Sequence, residues 1–168
     1  MIHVCSLAHL HETVHNTGAR HVVTLLGVDD IVRLPAGVDP GDYLRLHVHD
    51  ITDAVEGQIV PGAEHVERLV HFVRRWNRAA PMVIHCYAGI SRSTAAAFTT
   101  ICALNPNRDE ADIAQALRSA SPTAMPNARI VKLADQILGR DGRMVSAIAG
   151  IGACVPAMMA DPFQLDLD

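Results

Sequence analysis

The stretch PMVIHCYAGISRSTAAAFTT, residues 81–100, constrains the fold of this chain more than any other. PMVIHC reads as a strand that stops at Ala88-Gly89. Ser91 to Leu104 is rich in Ala and Thr and reads as a helix. Five residues, Tyr87, Ala88, Gly89, Ile90 and Ser91, join Cys86 to Arg92. A strand that turns directly into a helix is a unit of layered α/β architecture.

The flanking segments supply the rest of such a fold. Ile2 to Cys5 reads as a short strand, and Ser6 can cap a helix with Leu7, Leu10 and Val14 on one face, ended by Gly18. HVVTLL at 21–26 reads as a buried strand, GVDDIVRLPAGVDPGD as a long loop, and YLRLHVHD at 43–50 as an alternating strand. From Ala63, the positions Val66, Leu69, Val70, Val73 and Trp76 repeat at helical spacing with arginines opposite. Asn107 with Glu110 predicts a capped helix through Leu117, and Pro126 a first helical residue ahead of Ile130, Leu133 and Ile137. The expected class is α/β: a central, mostly parallel sheet of four to five strands with helices on both faces.

A chain of 168 residues suits one core. The expected division is a domain over residues 1–140 and an apolar extension over 141–168, packed on that domain or on a partner. MVSAIAGIGACVPAMMA at 144–160 is uncharged but shorter than the ~20 residues of a membrane span. A net charge of −4 gives no nucleic-acid footprint. Cys5, Cys86, Cys102 and Cys154 are widely spaced, and MIHVCSLAHLHE lacks the basic start and apolar run of a signal peptide, so free thiols in a cytoplasmic protein are expected.

The turn from Cys86 to Arg92 carries the chemistry. Five residues suffice to curl a loop whose backbone N–H groups point inward, completed by the positive end of the following helix. Such a cradle fits a tetrahedral dianion, and the planar fork of Arg92 can hold two of its oxygens. The same surroundings favour a thiolate at Cys86, a nucleophile aimed at phosphorus. A bare C-x5-R is common by chance, whereas H-C-x-x-G-x-S-R-S has a random expectation on the order of one in a million here, so the longer pattern is informative.

HCYAGISRS, preceded by PMVI, resembles the signature of the cysteine-dependent protein tyrosine phosphatase superfamily, closest to its small dual-specificity branch. The resemblance extends over residues 1 to about 138. It implies Cys86 as nucleophile, Arg92 as phosphate ligand, Ser93 as the hydroxyl that helps the thiolate leave, and His85 as support for the thiolate. The backbone of Tyr87, Ala88, Gly89, Ile90, Ser91 and Arg92 would bind phosphate, with no metal and no cofactor. It also implies a general-acid aspartate upstream, just after a strand. Asp50 and Asp53 qualify, and Asp50 is favoured because it follows its strand directly. SPTAMPNARI at 121–130 resembles the family segment in which an Asn after Pro braces the phosphate loop, which would assign that role to Asn127; an exposed position in a helix is the other reading.

The expected substrate is a phosphorylated protein or a small phosphate ester. The loop interior carries no basic side chain, which disfavours inositol polyphosphates. Two other functions share parts of the pattern: a catalytically silent phospho-binding module and a rhodanese-type sulfurtransferase. A third competes from elsewhere, because HETVHNTGARH at 11–21 fits the zinc-protease pattern at His11, Glu12, His15, Gly18 and His21. Only ten residues precede His11 and His21 opens a strand, so a helix, its glycine stop and a strand are expected there instead. His47 and His49 form a possible metal pair with no third ligand nearby. Cys5 is a candidate redox partner of Cys86.

Overall fold

The interleaving of strands and helices is realised in a computed structural model, which describes residues 1–167. Among the described residues, β1 (Ile2–Ser6), β2 (His21–Leu26), β3 (Tyr43–His47), β4 (Met82–Cys86) and β5 (Phe163–Leu165) form one sheet in the order β3-β2-β4-β1-β5. The first four run parallel, and β5 is antiparallel to β1. β4 lies at the centre and is buried along its whole length, which explains its unalternating composition. The parallel strands all end at one edge of the sheet, where open α/β folds place their sites.

The two faces are covered unequally. On one face, α1 (Leu10–Thr17) lays Leu10 and Val14 over Cys5, Val22 and Val83. On the other lie α2 (Ala63–Arg75), α3 (Arg92–Leu104), α4 (Glu110–Ala120), α5 (Ala128–Leu138) and α6 (Arg143–Gly150), over the larger core of Val4, Val23, Leu25, Met82 and Ile84. α3 is buried from Arg92 to Ala103, and its Ala95, Ala96 and Ala97 let neighbouring elements approach closely.

Several boundaries differ from the sequence expectation for identifiable reasons. β3 stops at His47 because His49 turns away to close a loop: its N–H donates to the Ile59 carbonyl at 2.8 Å, and the Ile59 N–H donates to His49 Nδ1 at 2.8 Å. Ser6 bonds the His9 ring at 2.9 Å instead of capping, so Leu7–His9 forms a 3-10 turn and α1 begins at Leu10. Asp109, not Asn107, caps α4, accepting from the Ala111 N–H at 2.7 Å. α5 begins at Ala128 behind the cap Asn127, leaving Pro126 outside. Beyond residue 140, only Arg143–Gly150 is helical; residues 151–162 run without a helix or strand into β5. No helix among the described residues is long and apolar enough to cross a membrane.

Glu110, expected to serve a cap, is instead a core residue at 5% exposure. Its carboxylate accepts from Arg140 at 2.9 Å and from Arg143 at 3.1 Å. Arg140 is itself buried and donates further to the carbonyls of Pro106 and Cys102. Removing one member of a buried pair leaves the other charge uncompensated, at a cost of roughly 3–5 kcal/mol. Glu110→Ala is therefore expected to lower the unfolding free energy read from chemical denaturation by that order, whereas Asn107→Ala, at an exposed position, should leave it nearly unchanged.

Candidate active site

The loop after β4 is held in shape by donors from four separate parts of the chain. The carbonyl of Tyr87 accepts from Leu7 N–H at 3.1 Å, and that of Ala88 from Ala160 N–H at 2.9 Å. The Ile90 carbonyl accepts from Met125 N–H at 3.0 Å, and the Ser91 carbonyl from Ala95 N–H at 3.0 Å and Asn127 N–H at 3.3 Å. Because a trans peptide sets its N–H opposite its carbonyl, outward carbonyls turn the N–H groups of Ala88, Gly89, Ser91 and Arg92 inward. Gly89 has φ +77°, and a Cβ there would lie 3.0 Å from the Cys5 carbonyl carbon and the Ser6 nitrogen. Only glycine fits against the end of β1.

Cys86 and Ser93 meet at the base of this loop, Sγ to Oγ 3.1 Å. Arg92 opens α3, and its side chain is 9% exposed. It donates through one terminal nitrogen to the Val48 carbonyl at 2.9 Å, while its buried Nε has no hydrogen-bond partner among the described residues. Asp50 Oδ2 stands 4.0 Å from that Nε. Asp50 Oδ1 accepts from the Ser91 hydroxyl at 2.7 Å and from Asn127 Nδ2 at 2.9 Å. The opposite end of the Asn127 amide caps α5, with Oδ1 accepting from the N–H groups of Arg129 and Ile130, each at 3.1 Å. Asn127 is buried and joins the loop after β4 to Asp50, so the exposed reading of this residue is corrected. Asp53 is exposed and bonds only its neighbour Thr52, at 2.8 Å.

An open groove of about 480 Å³ runs beside the loop, between Asp50–Val55 and Met125–Ala128, with Ser91 among its lining residues. The half of the site contributed by backbone was not legible from side chains. Leu7, Val48, Met125 and Ala160 act through peptide groups, and nothing in their side-chain identities announces it.

His85 lies on the α1 face and shares a 2.7 Å hydrogen bond with Thr24; its Nδ1 is 3.4 Å from the Cys86 carbonyl oxygen. Burial pushes its pKa down to about 4, so the ring is neutral near pH 7 and brings no positive charge to Cys86. The Cys5 thiol, also buried on the α1 face, is pushed up to about 12 by burial. Cys86, the candidate redox partner, packs in the core on the opposite face of the sheet, near enough to contribute to the upward shift of Cys5. The protease-like histidines are divided in the same way: His11 and His15 are exposed on α1, while His21 packs against Phe72 and Trp76 of the α2 side and contacts Asp42 at 3.2 Å. These three cannot converge on one ion. His49 spends Nδ1 on the Ile59 N–H, and no group of three potential metal ligands occurs among the described residues.

Two outcomes follow from this geometry. The folded pKa of His85 lies below its unfolded value, so its contribution to stability is complete above pH ~6.5 and is lost as pH falls through 4, amounting to about 3 kcal/mol. His85→Gln should flatten that part of the stability–pH curve measured by urea unfolding. Gly89→Ala, which combines positive φ with a backbone clash, should lower stability by more than ~1 kcal/mol and weaken orthophosphate binding together, as read by unfolding and calorimetry.

Residues 49–130 match the family model of the protein-tyrosine phosphatases, a span that contains Asp50, Cys86 to Ser93 and Asn127. No curated protein matches at the sequence level. Among solved structures, DUSP15 is 16% identical with a TM-score of 0.65, covering 89% of each chain. Human DUSP28 is 19% identical with a TM-score of 0.63, covering 83% of this chain and 92% of its own. PTPMT1 in complex with PI(5)P is 16% identical with a TM-score of 0.64, covering 83% of this chain and 91% of its own. At these identities the structures speak for the fold, and the family model for the motif. Residues 49–130 are therefore similar to the protein-tyrosine phosphatase family, and the chain has the fold of dual-specificity phosphatases.

Proposed function

We propose that the protein hydrolyses phosphomonoesters through a cysteinyl-phosphate intermediate, with Cys86 as nucleophile and Asp50 as general acid and base. What supports this reading is that the loop from Cys86, whose Sγ lies 3.1 Å from Ser93 Oγ, leads into Arg92, with Asp50 Oδ2 4.0 Å from Arg92 Nε. Arg92 and the inward N–H groups bind the equatorial oxygens, which orients phosphorus for in-line attack by the Cys86 thiolate. The S–P bond forms as the P–O bond to the leaving group breaks. Oδ1 of Asp50 is occupied by Ser91 and Asn127, so Oδ2 is the oxygen that delivers a proton to the leaving group.

Water then attacks phosphorus and gives its proton back to Asp50. The S–P bond breaks, orthophosphate leaves, and the Ser93 hydroxyl donates a hydrogen bond to the departing thiolate. No metal or cofactor enters the scheme. The substrate read from the loop is a phosphorylated protein or a small phosphate ester, since Tyr87 to Ser91 bring no basic side chain to hold further phosphates. The phosphoinositide in the PTPMT1 structure belongs to that protein. The groove beside Ser91 gives a peptide flanking the phosphorylated residue a place to lie.

With a phosphotyrosyl peptide, Cys86→Ser is expected to abolish phosphate release. Asp50→Asn should lower kcat by about 10²-fold or more and flatten the basic limb of the pH–rate profile. Asp53→Asn should stay within a few-fold of the unsubstituted protein; an unchanged profile in the Asp50 variant would remove Asp50 from the mechanism.

A further inference from the structure

Residues 151–162, IGACVPAMMADP, cross the surface without forming a helix or strand, yet they are tied down repeatedly. Arg118 donates to the Gly152 carbonyl at 3.3 Å, and the Val155 N–H donates to the Pro122 carbonyl at 2.9 Å. The segment then enters β5, which pairs with β1. Between these ties its side chains are largely exposed, Met158 at 95%. It dips inward at Ala160, which is 1% exposed and whose N–H reaches the Ala88 carbonyl at 2.9 Å.

That single contact falls where the phosphate loop is least constrained by its own sterics. Rotating the peptide between Ala88 and Gly89 changes φ of residue 89, and glycine crosses φ space at little cost because it has no Cβ. Glycine is nonetheless required there, since a Cβ would meet Cys5 and Ser6 at 3.0 Å. The residue that lets the loop pass β1 therefore also frees one of its peptide planes. The neighbouring planes have other holds: Leu7 on the Tyr87 carbonyl, Met125 on that of Ile90, Asn127 and Ala95 on that of Ser91.

We propose that Ala160 is a positioning residue for catalysis: its amide fixes the Ala88–Gly89 peptide so that the Gly89 N–H faces the bound phosphoryl group. The proposal rests on the phosphatase reading only in that the loop binds phosphate. It assigns the segment from 151 to 167 to the catalytic unit, with a boundary past β5 instead of near residue 140. The small side chain has its own reason, because a larger one would hold the strap away from Ala88.

The test compares Ala160→Pro, which removes the N–H, with Ala160→Gly, which keeps it, in the full-length protein. Orthophosphate affinity is read by calorimetry, KM and kcat with p-nitrophenyl phosphate, and folding by thermal unfolding. The Pro variant is expected to bind orthophosphate about five- to tenfold more weakly and to raise KM by a similar factor, the loss of one hydrogen-bond constraint. The Gly variant should stay within about twofold of the unsubstituted protein. Wild-type affinity in the Pro variant, or an equal loss in the Gly variant, would overturn the proposal.

Should the Pro variant fail to fold, amide hydrogen exchange of the unsubstituted protein decides. The Ala160 amide should be protected and should slow further when orthophosphate is added, and exchange indifferent to orthophosphate would count against the strap. The phosphatase reading fails separately, if the unsubstituted protein binds orthophosphate but releases none from any ester.

Discussion

Everything at the candidate active site depends on turning the peptide groups of one short loop so that their N–H dipoles converge. Converging dipoles repel one another until an anion arrives, and no regular secondary structure provides this arrangement. The loop is held by its outward carbonyls, each bonded to a donor elsewhere: the end of β1, the turn before α5, the first turn of α3 and the strap before β5. The fold supplies those donors because the parallel strands all end at the same edge. β1 adjoins β4 in the sheet, so Leu7 emerges beside Tyr87. The site is a property of the topology as much as of the HCYAGISRS sequence.

Asn127 links the second half of the site to the first. One amide group caps α5 through its oxygen and holds Asp50 through its nitrogen, so the orientation of the amide is fixed by partners on both sides. Asp50, Ser91 and Asn127 then come from the loop after β3, the loop after β4 and the start of α5, three segments far apart in the chain. The closure of the Asp50 loop by His49 and Ile59 keeps this assembly in register, since both ends of that loop are bonded to each other. The loop can be exposed along nearly all of Thr52 to Ile59 without leaving Asp50 adrift.

What was legible in the sequence is what local physics decides. Strand runs, amphipathic helices, the αL glycine at position 18 and the Cys86–Arg92 turn all follow from a few neighbouring residues. What was not legible depends on partners distant in sequence. Glu110 sits three residues after Asn107, as a capping box requires, but Arg140 and Arg143 draw its carboxylate into the core. The start of α6 has no capping side chain of its own because Asp135 in α5 accepts from the N–H groups of Gly142 and Met144. HETVHNTGARH misleads for a related reason. Spacing alone treats its histidines as one cluster, but Gly18 ends the helix, and the side-chain alternation of β2 sends His21 through the sheet to the opposite face.

The neutral state of His85 removes one source of positive charge beside Cys86. A charged imidazolium beside Cys86 would be the simplest electrostatic device, but this ring is sealed on the α1 face with Thr24 as its partner and stays uncharged. Its bond with Thr24 ties the end of β4 to β2. The polar groups facing Cys86 lie on the other face: the inward N–H groups, the N-terminus of α3 and the Ser93 hydroxyl at 3.1 Å. These are the same groups that would receive the phosphoryl oxygens. Under the proposed reading one set of donors would serve both sulfur and phosphoryl oxygens, and Arg92 is the one full positive charge that HCYAGISRS contributes.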